Sequence, residues 1–304
     1  MSPSAIELSI IVASYNTVDF LRACLASVES ATQGLTCELI VVDNNSSDGS
    51  VSMVEREFPT VRVLRNLANE GFSKANNKAL QEARGAAVLL LNPDTLVPVG
   101  TLQTLLKVLH ESPQVGVLGC RIVRPDGSLD AACKRSFPTP LSALSRFLAL
   151  DRLFPRSRRF GAYRRTYEDP RGSYEVESIV GAFMLVRRTA LADTGGLDED
   201  FFMYGEDLDW CWRLRQRGYA IWYIGSVTVV HHKGAATSRE PQRMNWHFHR
   251  SMFLFHRKHL VNSYPFFVNW LVYLGITGLY ALRSLRMALR RPPRARPIPT
   301  TISA

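Results

Sequence analysis

The sequence predicts an α/β fold in which helices flank a mostly parallel central sheet. Short apolar runs alternate with segments of helical periodicity, and these runs are rich in Ile, Val and Leu. Strands buried on both faces appear in sequence as such continuous apolar runs. Alternation at this spacing places a helix between successive parallel strands, with right-handed crossovers. With 304 residues, of which 46% are hydrophobic and 21% charged, the chain can bury a full core.

The first 123 residues account for most of this pattern. Strands are predicted within 8–16, 37–50, 61–66, 86–95 and 115–123, and helices within 17–31, 48–58, 69–85 and 99–112. Ser47 or Asp48 can cap the second helix. Pro93 is expected to end the fourth strand, because proline cannot donate to a sheet ladder.

The second half of the chain is less regular. Residues 124–175 show no clear periodicity and are rich in arginine, which predicts either a solvated loop or an anion-binding flap over the site. A buried strand is predicted at 176–188, with Gly181 at its centre, where a small residue lets a ligand or backbone approach. Another strand is predicted from residue 220 to His231-His232, and a helix at 239–258.

Polar residues stand at the ends of four successive predicted strands. They are Ser14, Tyr15 and Asn16 after the first, Asp43 and Asn44 after the second, Asn69 after the third, and Asn92 and Asp94 after the fourth. Ligands of open α/β sheets bind outside these ends, so we expect one shared site. Each group alone could be turn chemistry, and the recurrence favours binding. No GxGxxG or Walker signature occurs, which argues against a dinucleotide fold or a P-loop ATPase.

An acid-rich helix is predicted within GGLDEDFFMYGEDLDWCWRLRQRGY, residues 195–219. On a helical wheel Asp207 shares an apolar stripe with residues three, four and seven positions later, whereas Glu206 and Asp209 fall on a polar stripe. Those two can serve ordinary ion pairing or the helix dipole. A carboxylate on an apolar stripe is costly to keep charged unless it is used, so Asp207 is the candidate functional acid.

A metal site is also possible. His231 ends the last predicted strand and follows the acid-rich helix closely. A histidine pair after an apolar strand is more often structural, but one histidine with one or two carboxylates is a chemically reasonable metal site. The five cysteines form no CxxC pair, which argues against a cysteine zinc site and against a disulfide framework.

The positive charge of the chain is concentrated at its C-terminal end. The formal net charge is +10, and residues 239–304 hold eleven lysines and arginines against one acid, so the first 238 residues are neutral. A nucleic-acid surface should be basic on the domain itself, and we therefore expect no nucleic-acid partner. The basic end favours an anionic membrane surface.

Residues 260–282 contain no charged residue or histidine. As a helix they would reach roughly 34 Å, just enough for a bilayer core of about 30 Å. A single span would place the six following arginines across the membrane from the main domain, against the positive-inside tendency for a cytosolic domain. We therefore expect helices that lie on or insert shallowly into an anionic leaflet. A span, or burial in a homodimer or in the domain itself, stays open.

Six motifs occur in a characteristic order. They are SIIVASYN at 9–16, VVDNNSSDGS at 41–50, NEGFSKANNKAL at 69–80, LNPDT at 91–95, the acid-rich stretch at 195–219 and HHKG at 231–234. Together they resemble the inverting nucleotide-sugar glycosyltransferases of family 2, which have the GT-A fold, and in particular their bacterial rhamnosyltransferase-like branch. The resemblance covers about residues 6–260.

The resemblance implies a role for each matching residue. Donor binding is implied for Ser14, Tyr15, Asn16, Asp43, Asn69, Gly71, Asn76 and Asn92. Asp94 would bind Mg²⁺ or Mn²⁺ on the donor diphosphate, and His231 could complete that site. Asn92 replaces the first acid of the family's DxD motif and is a poorer metal ligand. Asp207 would be the general base, with Gly181, Glu206 and Asp209 on the acceptor side.

The expected function is transfer of a sugar, most plausibly L-rhamnose from dTDP-rhamnose, to a lipid-linked or polysaccharide acceptor in cell-envelope glycan synthesis. Other hexosyl or galactofuranosyl transferases share the motifs, and a non-catalytic sugar-nucleotide-binding scaffold is the remaining alternative. We expect a glycosyltransferase domain at 1–260, with a donor half at about 1–123 and an acceptor half at about 124–260. Membrane-associating helices at 261–290 and a disordered basic tail at 291–304 would follow. The protein would work at the cytoplasmic face of the membrane, where the basic loop and tail meet the lipid diphosphate and the leaflet.

Overall fold

The computed structural model describes residues 6–234 and 240–289, and the tail predicted at 291–304 lies outside them. Within the described residues one sheet is formed by β1 (Leu8–Ser14), β2 (Cys37–Asp43), β3 (Arg62–Arg65), β4 (Ala87–Leu91), β5 (Thr95–Leu96), β6 (Val115–Val123), β7 (Ser173–Val176), β8 (Phe183–Arg187) and β9 (Ala220–His231). The helices are α1 (Val18–Ala31), α2 (Ser50–Glu57), α3 (Gly71–Glu82), α4 (Thr101–Glu111), α5 (Pro140–Phe147), α6 (Leu150–Leu153), α7 (Arg188–Thr194), α8 (Glu206–Gln216), α9 (Pro241–Phe255) and α10 (Phe266–Leu289).

The predicted alternation of strands and helices holds through β4. The sheet order is β3-β2-β1-β4-β8-β6-β9-β5, with β7 also on β9, and the first four of these strands are parallel. Strands β1 and β4 are buried along their whole length, as continuous apolar runs require. The register places Ser14 beside Asp43, so the polar strand ends share one edge.

Beyond β4 the sheet is mixed. Strand β8 lies between β4 and β6 and runs antiparallel to both, whereas β6 and β9 are parallel. Strand β5 pairs antiparallel with the end of β9, so that Thr95 lies opposite His231. This pairing places the end of β9 next to the residues that follow β4. The α/β class with flanking helices is therefore confirmed, with an antiparallel insertion in its second half.

The strand predicted at 176–188 is two strands, and Gly181 lies in the loop between them instead of at a strand centre. The loop's backbone makes contacts outside the sheet. Ser178 exchanges two backbone hydrogen bonds with Arg135. The Ile179 carbonyl accepts from the Arg135 guanidinium, and the Gly181 N–H donates to Asp207. These hydrogen bonds take the place of pairing with a neighbouring strand, so the predicted strand is divided in two.

The irregular region at 124–175 contains the two short helices α5 and α6. Thr139 forms a capping box with Ser142 at the start of α5, and Pro140 occupies the first helical position, both favourable N-terminal features. Most of this region lies outside the sheet, to which an isolated bridge between Arg135 and Ser178 links it.

The C-terminal region is a helical hairpin. Helix α9 is followed by a π-turn at His256–Leu260 and a 3₁₀ turn at Val261–Ser263, and α10 then runs back along α9. Polar contacts join the two helices at both ends. Asn245 Nδ2 donates to Ser284 Oγ at 3.0 Å, and the His256 ring lies 2.7 Å from Asn269 Oδ1. Most of the helix predicted at 239–258 is formed by α9 and the π-turn, and within 261–289 there is one long helix, α10, where more than one was predicted.

Candidate active site

The ends of β1 and β2 form the first part of the site. Ser14 and Asp43 are adjacent and buried. Asp43 Oδ2 accepts from the Ser46 N–H at 2.9 Å, whereas Asp43 Oδ1 is buried without a hydrogen-bond partner. A buried carboxylate oxygen without a partner is costly unless a ligand supplies a donor. This geometry suits the predicted contact with a nucleoside.

Asn16 forms hydrogen bonds that join the loop after β1 to the loop after β2. It adopts a left-handed conformation with φ 52°, which asparagine tolerates better than most residues. Its N–H donates to Ser46 Oγ, and its Oδ1 accepts from the Ser47 N–H at 2.8 Å. Tyr15, just before it, is half-buried. The side-chain oxygen of Asn16 therefore already has a structural partner.

Asn69 and Gly71 shape the start of α3. Asn69 Oδ1 accepts from the Gly71 N–H at 3.1 Å. Gly71 has φ +88°, and a Cβ there would lie 2.4 Å from the Phe202 carbonyl oxygen. Glycine is thus required by close packing of the 201–203 segment on α3. Asn76 lies one turn further on, buried, with its Oδ1 lacking a partner.

Asp94 and His231, the two residues predicted to bind a metal, lie beside each other next to the β5–β9 pair. Asp94 Oδ1 lies 3.0 Å from His231 Nε2, at an angle that leaves this oxygen without a hydrogen bond. Asn92 Nδ2 is 3.4 Å from the same ring nitrogen. On the other side of the ring, His231 Nδ1 lies 3.8 Å from Asp130 Oδ2, and Asp130 also pairs with Lys233 at 3.0 Å.

The charges around His231 favour its protonated form. Burial alone would lower its pKa, but Asp130 and Asp94 outweigh burial and raise the pKa of His231 to about 9. Burial likewise opposes the charge of Asp130, yet His231 and Lys233 lower the pKa of that carboxyl. Because a metal ligand must be an unprotonated nitrogen, a cation at Asp94 would have to displace a proton from His231.

The donor set fits a weakly held divalent cation. Within residues 6–234 and 240–289, no group of three or more His, Cys, Asp or Glu side chains is placed to hold a metal ion. Asp94 nevertheless presents a buried oxygen without a hydrogen bond, beside one imidazole. Such a partial oxygen and nitrogen set suits Mg²⁺ or Mn²⁺ that takes its other ligands from substrate phosphates and water.

Asp207 is buried at the start of α8, in an ion pair that was not predicted. Its Oδ2 accepts from the Arg135 guanidinium at 2.7 Å and from the Gly181 N–H at 3.1 Å, and its Oδ1 accepts from the Leu208 N–H at 2.7 Å. Burial alone would lower the pKa of Arg135, but the Asp207 charge outweighs it and raises that pKa. These contacts fix the orientation of the Asp207 side chain, and Oδ1 keeps a second lone pair that the Leu208 N–H does not use.

Asp209 forms the kind of ion pair expected of the polar stripe of α8, whereas Glu206 does not. Both are buried because α9 and the π-turn cover this face of α8. Asp209 is paired with Arg213 at 2.8 Å and with His259 at 2.7 Å, so it is a structural anchor for the C-terminal hairpin. These contacts lower the pKa of Asp209 against the effect of burial.

Among the described residues, Glu206 has no ion-pair partner of this kind. Its Oε2 is buried without a hydrogen bond. Burial, and then the charge of Asp207, raise the pKa of Glu206 to about 8. Glu206 is therefore mostly protonated at neutral pH, and it can donate a hydrogen bond beside the Asp207 carboxylate.

Comparison with known proteins identifies the family. The profile described as Glycosyl transferase family 2 matches residues 9–195, more than half of the chain. The chain belongs to glycosyl transferase family 2. Helix α8 lies beyond the matched range, so the family match does not itself cover Asp207.

Relatives of this glycosyltransferase extend over almost its whole length. The N-acetylglucosaminyl-diphospho-decaprenol L-rhamnosyltransferase of Mycobacterium tuberculosis (strain ATCC 25618 / H37Rv) is 31% identical, over 94% of this chain and 95% of that protein. Rhamnosyltransferase WbbL of Escherichia coli (strain K12) is 23% identical, over 84% of this chain and 96% of that protein.

A solved structure supports the fold. The mannosyltransferase PcManGT from Pyrobaculum calidifontis, in complex with GDP-Man and Mn²⁺, matches with a TM-score of 0.56 and 18% identity, over 96% of this chain and 84% of that chain. At this identity the likeness concerns the fold alone, and it confirms the predicted GT-A fold.

The loop before β8 joins the two halves of the glycosyltransferase site. Asn92 donates its N–H to the Ala182 carbonyl at 3.0 Å, and the neighbouring Gly181 donates to Asp207. The β4 end, with Asp94, and the α8 start, with Asp207, are therefore fixed to consecutive residues of one loop. This arrangement places the strand end predicted to bind the donor next to residues predicted to lie on the acceptor side.

Sequence reasoning missed three polar residues of the site region. Arg135 and Asp130 lie in the segment predicted as irregular, and His259 follows the last sheet strand by many residues. Each acts through a contact more than 45 positions away along the chain, which periodicity cannot reveal. A buried acid on an apolar stripe does demand a counter-charge, but that demand does not say which of the many arginines supplies it.

Proposed function

We propose that this family 2 glycosyltransferase transfers L-rhamnose from dTDP-rhamnose to a lipid-linked or polysaccharide acceptor, with inversion, in cell-envelope glycan synthesis. The near full-length similarity to a decaprenol-linked L-rhamnosyltransferase supports the sugar and the kind of acceptor. The observation that carries the catalytic part is the buried Asp207 carboxylate, held by Arg135 beside the donor-side strand ends.

Asp207 is the general base. Its open Oδ1 lone pair takes the proton of the acceptor hydroxyl while the hydroxyl oxygen attacks the anomeric carbon of the sugar. The bond from that carbon to the diphosphate oxygen breaks, and the nucleoside diphosphate leaves with the electron pair. The transition state resembles an oxocarbenium ion, as in glycoside hydrolysis.

The other acids of α8 support a single displacement. A double displacement needs a second charged carboxylate to attack the sugar. Asp209 is engaged by Arg213 and His259 through both of its carboxylate oxygens, and Glu206 is largely protonated near neutral pH. Glu206 is better suited to donate a hydrogen bond to an acceptor oxygen. A single displacement inverts the anomeric centre.

Asp94 and His231 are the residues that would hold Mg²⁺ or Mn²⁺. Such a cation, when bound, neutralises charge that develops on the leaving diphosphate. Asp94 would supply the buried oxygen, and His231 would supply a ring nitrogen once it has lost a proton. Asn92, on the same turn, would give a hydrogen bond to the nucleotide sugar instead of binding the cation.

The long helix α10 is proposed to lie on the cytoplasmic leaflet. By length and composition it could cross a membrane. Yet one of its faces is held along α9 from Asn269 to Ser284, and α9 is itself joined to the catalytic domain. The opposite face exposes large apolar side chains, namely Phe266, Phe267, Trp270, Leu271, Leu274, Leu282, Leu285 and Leu289. A helix with one packed and one apolar free face suits shallow insertion.

A donor screen tests the assignment. The full-length protein is mixed with Mg²⁺ or Mn²⁺ and with dTDP-rhamnose, UDP-glucose, UDP-galactose, UDP-galactofuranose or GDP-mannose. We expect dTDP-rhamnose to raise the melting temperature most, because ligand binding to the native state adds its free energy to stability. At a hundredfold excess over Kd the gain is roughly 2.7 kcal/mol. EDTA should remove most of the shift.

The Asp94→Asn variant is the control for the metal. It should melt near the wild type without ligand and lose the EDTA-sensitive part of the donor shift. If a different donor stabilises the protein most, the assignment of rhamnose is wrong and the transferred sugar is the one that donor carries. Absence of a response to every donor would contradict a glycosyltransferase that binds its donor before its acceptor.

A further inference from the structure

Helix α5 has its polar and apolar faces reversed. Ser142 and Ser145 are buried at 5% and 2% exposure, while Leu141 and Leu144 are 48% and 52% exposed. Leu148, just past the helix end, continues the same stripe and is 51% exposed. The stripe has the three- and four-residue spacing of one helical face. A helix of a soluble protein normally turns that face towards the core.

The buried serines are fully used inside the protein. Ser142 completes the capping box with Thr139, and Ser145 Oγ donates to the Phe160 carbonyl at 3.0 Å. The reversed orientation is therefore fixed by hydrogen bonds on the inner face. The leucines are held outward by the same contacts, and α5 is not simply a loosely packed helix.

The apolar surface continues past α5. Leu153, at the end of α6, is 69% exposed, and Phe154 is 53% exposed. With the three leucines of the α5 stripe they form one segment, residues 140–160, which we term the cap. Five large apolar side chains exposed within 14 consecutive positions are more than the scattered exposure expected of a soluble surface.

The cap is rimmed by positive charge. Its exposed arginines are Arg146, Arg152, Arg156, Arg158 and Arg159. The single acid of the cap, Asp151, is buried and lies 3.7 Å from Arg164. The exposed charge of the cap is therefore of one sign, although the first 238 residues as a whole are neutral.

We propose that the cap is a second membrane-contact surface, distinct from α10, that inserts its leucines at the acyl boundary of an anionic leaflet. Apolar side chains rimmed by arginines match acyl chains beneath lipid phosphates. A second copy of the cap fits poorly, because a symmetric contact would bring the two arginine rims together. The charge pattern thus selects an anionic lipid surface over self-association.

The segment just before the cap contacts helix α8, which carries the proposed base Asp207. Arg135 binds Asp207, and Phe137 packs edge-on against Trp212 at 4.8 Å between ring centroids. Helix α5 begins three residues later, at Pro140. Contact between the cap and the leaflet would therefore bring Asp207 close to the headgroup of a lipid-linked acceptor. This last step rests on the proposed function, whereas the membrane contact does not.

The test measures binding of full-length protein to phosphatidylcholine vesicles with and without 30% phosphatidylglycerol, in the absence of donor and acceptor. We expect the Leu144→Ser/Leu148→Ser variant to bind the anionic vesicles about tenfold more weakly than the wild type. The matched control is Leu67→Ser/Val99→Ser, which alters two other exposed apolar residues, 97% and 71% exposed. It should bind as the wild type does.

A second variant tests the charged rim. Arg152→Ser/Arg156→Ser/Arg158→Ser should reduce the preference for anionic vesicles, by up to roughly fivefold for each arginine that reaches the surface. The control, Arg56→Ser/Arg84→Ser, removes two exposed arginines of the donor half. Melting temperature and donor-induced shift should stay unchanged in all four variants, which confirms that each is folded.

Vesicle binding of both cap variants at the wild-type level would overturn the proposal, since α10 would then account for all membrane contact. Weaker binding by the cap variants alone would support it. Failure of the proposed function is recognised separately. In that case the cap variants would still lose vesicle binding, while the wild type would transfer no sugar from any donor.

Discussion

Replacing Asp207 with asparagine is expected to lower turnover by about 10²- to 10⁴-fold, the usual contribution of a general base. Asparagine has nearly the same shape and can still accept from Arg135 or Gly181, so the fold should persist. It cannot take a proton at neutral pH. Release of nucleotide from donor and acceptor, followed at saturating substrate, measures the effect on kcat.

The control for this variant is Asp19→Asn, an exposed acid in the first turn of α1. It should turn over as the wild type does. The donor-induced shift in melting temperature should be unchanged in both variants, because Asp207 contacts the acceptor side. Near-normal turnover of Asp207→Asn with intact donor binding would remove Asp207 from the mechanism.

Replacing Arg135 with methionine should damage both activity and stability. Arg135 and Asp207 are each about nine-tenths buried. Removing one partner of a buried ion pair leaves the other uncompensated, which costs about 3–5 kcal/mol. The Asp207 charge is then disfavoured, so the acidic limb of the rate profile should move to higher pH. The measurements are urea unfolding and a pH profile of kcat/KM.

Two further variants separate charge compensation from packing. Arg135→Lys keeps a positive charge and should restore part of the activity and move the acidic limb back towards the wild-type position. In the double variant Arg135→Met/Asp207→Asn no buried charge is left, so its loss of stability should be smaller than the sum of the two single losses. Additive losses, with an unmoved pH profile, would show that Arg135 acts through packing alone.

The donor half was largely predictable from sequence. Strands β1, β2 and β4 are continuous apolar runs, and each ends at the polar residues expected to bind ligand. Asp207 could be singled out because a wheel places it on the apolar face of α8. These inferences depend on local periodicity, which can be observed in the sequence without knowledge of the structure.

The acceptor half was less predictable because its structure depends on distant contacts. Gly181 seemed to lie within a strand, since the apolar run around it continues, but Arg135 and Asp207 draw its neighbours out of the sheet. The wheel allowed Asp209 an ordinary ion pair, but it could not show that His259, 50 positions away, also binds this acid. Helix α5 was not predicted, because its leucines face outward and it has no apolar stripe that faces the core.

The anomeric configuration of the product tests the central claim most directly, because a single displacement assisted by one base has one stereochemical outcome. The full-length protein is incubated with dTDP-rhamnose, a divalent cation and a polyprenyl-diphosphate-linked sugar acceptor, and the new glycosidic linkage is assigned by NMR. We expect a linkage of configuration opposite to that of the donor, formed about 10²- to 10⁴-fold more slowly by Asp207→Asn. A product that retains the donor configuration would contradict the account, since it would require a second nucleophilic carboxylate in place of the lone base Asp207.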